Sequence, residues 1–177
     1  MVPSGVLAMA MFLAAEVMFF AGLISAYAVL RAQTIGWPPL DQPRLPVALT
    51  AVNTLVLLAS GYALIRARGA LRAGTPGAVR GLLIAAGLGS LFLAVQGFEW
   101  VRLLGYGLTT SSSMYGATFY ALVGTHATHV VAALIVLLVA VQRARKGRLN
   151  AESLEPVAMF WLFVVGIWPL LYVLVYL

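Results

Sequence analysis

Five side chains able to do chemistry stand inside apolar runs of this sequence: Glu16, Gln96, Glu99, His126 and His129. An ionisable group in hydrocarbon costs a few kcal/mol, so each needs a partner, a neutral protonation state or a function. Glu16 lies about ten residues into its run, which at about 1.5 Å per residue is close to the bilayer centre. The protonated acid is expected there unless a cation or several donors hold the charged form. Gln96 and Glu99 are three apart and share one helix face, with Arg102 within reach of Glu99. His126 and His129 share a face in the same way, at depths that predict an approach to Glu99 and Glu16 from an antiparallel helix. Such groups could relay protons, hold helices together or meet lipid headgroups near the helix ends, and structural hydrogen bonds are the commoner use. Two histidines one turn apart could bind a metal, but the chain has only these two. One haem iron cannot take both from the same side. No catalytic, metal or cofactor site is therefore expected in this chain.

The elements that position these groups follow from composition. The 177 residues are 63% hydrophobic and 9% charged, with a mean hydropathy of +1.01, too apolar to wrap a water-facing core. Polar or turn-rich stretches at 31–46, 66–80, 102–113 and 142–156 separate five runs, each long enough to cross a bilayer, at about 6–30, 46–65, 80–104, 115–141 and 157–177. The fold class expected is all-α integral membrane: a five-transmembrane-helix bundle forming a single domain over 1–177. The first run is too long for a signal-peptide core, contains Glu16 and lacks a basic leader, so it is expected to be retained. Trp37 with Pro38 and Pro39 suits a loop at headgroup level.

The net charge is +6, but its basic residues cluster beside apolar runs, which favours lipid headgroups and orientation signals over nucleic acid. The second connection holds Arg66, Arg68, Arg72 and Arg80 and the fourth holds Arg143, Arg145, Lys146 and Arg148. These predict a cytoplasmic N-terminus and an outside C-terminus. The absence of cysteine removes disulfides and thiolate metal sites. Gly81, Ala85 and Gly89, and Ser60 with Gly61, form small faces suited to close helix packing. Trp161, Phe163, Trp168 and Tyr172 read as lipid-facing or interfacial packing, and Pro169 as a kink or an accommodated break.

Several segments together resemble subunit III of the haem-copper respiratory oxidases: AEVMFF with Glu16, GWPP with Trp37, AVNTLVLLASG from Ala51 to Gly61, AVQGFEW with Gln96 and Glu99, and MYGATFYALVGTHATHV with both histidines. The last span keeps the family's aromatic texture. The match runs in order along nearly the whole chain and suggests the five-helix bacterial form. Two departures stand out: Leu162 and Val165 occupy places where the family usually has His and Asp, and Ala127 replaces a Gly.

The resemblance implies a non-catalytic subunit of a cytochrome c oxidase in aerobic respiratory electron transport. It implies oxidase subunit I as main partner, with subunit II and membrane lipids, in the bacterial cytoplasmic membrane. Haem and copper are then expected in the partner subunits, and bound phospholipid here. The family's role is to stabilise subunit I and to support proton uptake or oxygen access through bound lipid. Glu16 matches the family's intramembrane carboxylate, Glu99, His126 and His129 match its other buried polar positions, and Gln96 belongs with Glu99 to a segment resembling the family's Gln-x-x-Glu-aromatic run. Alternatives are subunit III of a quinol oxidase, an accessory membrane protein of nitric-oxide reduction, and an independent transporter, for which the scattered polar residues barely provide a path.

Overall fold

The computed structural model describes residues 3–34, 36–39 and 43–177; residues 40–42 of the proline-rich connection lie outside the described part. Five helices follow one another: α1 (Ser4–Gln33), α2 (Val47–Arg72), α3 (Ala78–Gly105), α4 (Met114–Arg145) and α5 (Ala151–Tyr176). All five are long and apolar enough to cross a membrane.

Two helix ends lie furthest from the hydropathy reading. α2 continues seven residues beyond 65, and α5 begins at Ala151 rather than 157, running unbroken through Pro156 and Pro169. The physical reason is that backbone hydrogen bonding does not stop where hydrocarbon does. The α2 extension consists of Arg, Ala, Gly and Leu. It is held by Glu155, whose carboxylate accepts from Arg68 Nε and Nη2, both at 2.8 Å, and from Arg72 Nη2 at 2.7 Å. At the start of α5 a reciprocal cap satisfies the first turn: Ser153 N–H donates to Asn150 Oδ1 at 2.8 Å, and Asn150 N–H reaches Ser153 Oγ.

The packing is a closed ring of four helices with a fifth outside it. α2 lies against α3, α3 against α4, α4 against α5 and α5 against α2, while α1 touches only α4 and α5. Only Phe20 and Tyr27 of α1 are buried. Small residues permit the close approaches. An added methyl at Gly81 would stand 2.8 Å from Ala67 Cβ, and one at Gly89 would collide with the Trp161 ring.

The core also corrects the reading of the last span. Trp161 and Trp168 are 0% and 1% exposed, so they fill the middle of the ring instead of facing lipid. Their indole N–H groups can be buried because α2 supplies acceptors: Ser60 Oγ at 3.3 Å for Trp161 and Thr54 Oγ1 at 2.9 Å for Trp168. Phe163 packs edge-on against Phe20, and Tyr172 donates to the Val47 carbonyl at 3.2 Å. Leu162 and Val165 face Gly61, where an added methyl would meet Val165 Cγ1 at 2.9 Å. Apolar close packing thus occupies that contact.

Candidate functional site

Two carboxyl groups organise the polar contacts between helices, Glu16 half-buried on α1 and Glu99 buried on α3. Glu16 on α1 meets His129 on α4, with Oε2 3.0 Å from Nε2 and both side chains slightly exposed, at 16% and 18%. The proton count of this pair follows from the other ring nitrogen. His129 Nδ1 lies 2.8 Å from the Thr125 carbonyl, an oxygen that only accepts, so Nδ1 carries a hydrogen. The contact between Nε2 and Oε2 then holds one proton, either as carboxyl donating to imidazole or as imidazolium donating to carboxylate. In both cases the pair is neutral overall, which removes most of the cost of placing it among Phe19, Phe20 and lipid-facing residues. α1 is tied to α4 through this single polar contact; Arg31 and Tyr27 tie it to α5 by donating to the Leu174 carbonyl, each at 3.0 Å.

The second carboxyl, Glu99 on α3, is 2% exposed. Its Oε2 lies 3.0 Å from Thr50 Oγ1 on α2, and its Oε1 has no partner among the described residues. One turn earlier Gln96 donates from Nε2 to the Tyr176 hydroxyl at 3.1 Å. Arg102, expected to reach back to Glu99, instead directs Nη2 to the Tyr106 hydroxyl at 3.4 Å and lies over the Phe98 and Tyr106 rings.

His126 departs furthest from the reading of the sequence. Three residues along a helix turn the side chain by about 300°, so His126 and His129 point about 60° apart. That divergence is enough to send His129 to α1 and His126 to α5. His126 is 1% exposed and stacks on Trp168 at 4.9 Å and 25° between ring planes, with neither nitrogen bonded among the described residues. It does not meet Glu99. Among the described residues no three His, Asp or Glu side chains converge as a metal site.

Thr50, Asn53, Thr54 and Ser60 were not singled out as partners, although their spacing of three, four and six to seven residues places them on one face of α2. Asn53 donates to the Phe92 carbonyl at 3.1 Å, and the others receive Glu99, Trp168 and Trp161. A polar stripe inside an apolar run was the available signal. Glu155 and Tyr176 gave no such signal, because each sits near the end of its span and its partner is remote in sequence.

The family profile described as cytochrome c oxidase subunit III matches residues 2–177. Cytochrome c oxidase subunit 3 of Synechocystis is 34% identical over 172 residues, covering 94% of this chain and 72% of that protein. The subunit 3 of Thermostichus vulcanus is 34% identical over 179 residues, covering 97% and 86%. A probable subunit 3 from Nocardia farcinica is 35% identical over 169 residues, covering 93% and 83%. With the match extending through all five helices and both polar pairs, the chain belongs to the cytochrome c oxidase subunit III family.

Proposed function

We propose that this chain, as subunit III of a cytochrome c oxidase, acts without a redox centre of its own and packs as one transmembrane domain beside subunit I, with subunit II in the same complex. Haem and copper belong to those partners. The carrying observation is the end-to-end family match, and the sparse burial of α1 is consistent with it, since most of that helix is left free for lipid or a partner. In this reading the subunit stabilises subunit I and supports proton uptake or oxygen access through bound lipid, in a bacterial cytoplasmic membrane.

The orientation has the N-terminus in the cytoplasm and the C-terminus outside. Eight of the eleven basic residues lie on or beside the α2–α3 and α4–α5 connections, which supports placing those connections inside. Support for phospholipid comes from the same end. Arg143, Lys146 and Arg148 border a cavity of about 280 Å³ with Gln142 and Val139. Through Val139 and Arg143 it adjoins an apolar groove of about 230 Å³ between α4 and α5. A phosphate on the cations with an acyl chain in the groove fits that pairing.

The test is purification from the native membrane in mild detergent through a C-terminal tag, with a visible spectrum and the masses of all accompanying proteins. Haem bands, a large polytopic partner and oxygen consumption with reduced cytochrome c are expected. Oxidation of quinol only would reassign the complex to a quinol oxidase, and nitric-oxide reduction to the accessory reading. A colourless chain running alone, under conditions that preserve respiratory complexes, would overturn the proposal.

A further inference from the structure

Thr50 stands between two acceptors. Its Oγ1 lies 3.0 Å from the Pro46 carbonyl and 3.0 Å from Glu99 Oε2. A hydroxyl carries one hydrogen, so if Glu99 were a carboxylate, the two contacts would have to share it. If Glu99 carries a proton, both close: the carboxyl donates to Thr50 and Thr50 donates to Pro46. The donor count therefore favours Glu99 as the neutral acid, the form in which each contact has its own hydrogen.

The other oxygen, Oε1, is buried without a partner among the described residues, a condition that costs about 1–3 kcal/mol if nothing fills it. Beside Glu99 lies a small cavity of about 70 Å³, at the end of the bundle where α3 terminates, lined by Arg44, Pro46, Glu99, Arg102, Leu103 and Tyr106. That is room for water, and the lining offers polar partners. Two guanidinium groups border it, and among the described residues neither forms an ion pair with Glu99. The groups facing Glu99 are Thr50 from α2, Arg44 from its lead-in, Gln96 and Arg102 from α3, and Tyr176 from α5. The nearby α4 imidazole, His126, is turned to Trp168.

We propose that Glu99 is a proton-exchanging acid, resting protonated on Thr50 and releasing its proton through water in this cavity to the aqueous phase beyond Arg44 and Arg102. The O–H bond of the carboxyl breaks, water carries the proton outwards, and the two guanidinium groups balance the carboxylate left behind. Glu16 cannot serve the same phase, because its proton is shared with His129 among apolar neighbours.

The test uses infrared difference spectra of the purified complex containing the full chain, recorded as the solvent is changed from H2O to D2O and as pH is varied. A carboxylic C=O band is expected that is absent in Glu99→Gln, shifted in Glu99→Asp and displaced in Thr50→Val. It should move within the time of solvent exchange and vanish reversibly across a pH titration. Two results would overturn the proposal: a Glu99→Gln spectrum that keeps every acid band of the wild type, Glu16's included, or a Glu99-dependent band that ignores D2O while exposed amides exchange. If Glu99→Gln fails to assemble, Glu99→Asp and Thr50→Val still give the assignment through their band shifts.

Discussion

Replacing His129 by Leu puts the Glu16 pairing to a quantitative test. Among the described residues the imidazole is the only polar partner of the carboxyl, at 3.0 Å, so its loss leaves a protonated acid with an unpaired O–H in apolar surroundings. Such an orphan costs about 1–3 kcal/mol. Removing both partners, as Glu16→Leu with His129→Leu, exchanges a closed polar contact for apolar surface and should be close to neutral. Glu16→Gln should be mild, because the amide offers an N–H to the same Nε2. A double-mutant cycle on the full chain, unfolded at equilibrium in mixed micelles and followed by circular dichroism, should give a coupling of at least about 0.6 kcal/mol, the average for hydrogen bonds between membrane helices. The effect should concentrate in the docking of α1, which buries only Phe20 and Tyr27. Strict additivity of the two Leu substitutions, or a Glu16→Gln variant as damaged as Glu16→Leu, would refute the shared-proton argument.

Glu16→Lys should abolish co-purification with partner subunits, since it sets an ammonium against His129 in the apolar region; recovery of the intact complex on a tag pull-down would count against that. Gly89→Leu should lower stability by about 1–3 kcal/mol through collision with Trp161, read as an earlier thermal transition of the purified chain. Trp168→Phe should cost about 1 kcal/mol for the lost bond to Thr54 before any packing loss, with Thr54→Val in the same cycle showing whether the bond is the cause. Glu155→Ala should cost about 1 kcal/mol by freeing Arg68 and Arg72, and the difference from wild type should shrink in high salt because both arginines are partly exposed.

Hydropathy located the five spans because transfer to hydrocarbon sums along the chain, residue by residue, and long apolar runs admit few other solutions. The order of segments carrying Glu16, Trp37, Asn53, Gln96 with Glu99, and His126 with His129 was enough to reach the family, because that likeness is itself a property of the linear order. Matched depth also placed His129 within reach of Glu16. What no local sum could supply was azimuth. Lipid and protein interior are both apolar, so an indole such as Trp168 has the same hydropathy whether it faces one or the other. Turned inward, it finds the Thr54 hydroxyl and the rings of Phe92 and Tyr176, and His126 stacks on it in turn. Likewise the extension of α2 to Arg72 depended on Glu155, which is distant along the chain. The sequence by itself thus determined which segments enter the membrane and which polar residues go with them. The tertiary structure decided which of those residues share protons, because that depends on the angle at which each helix meets its neighbour.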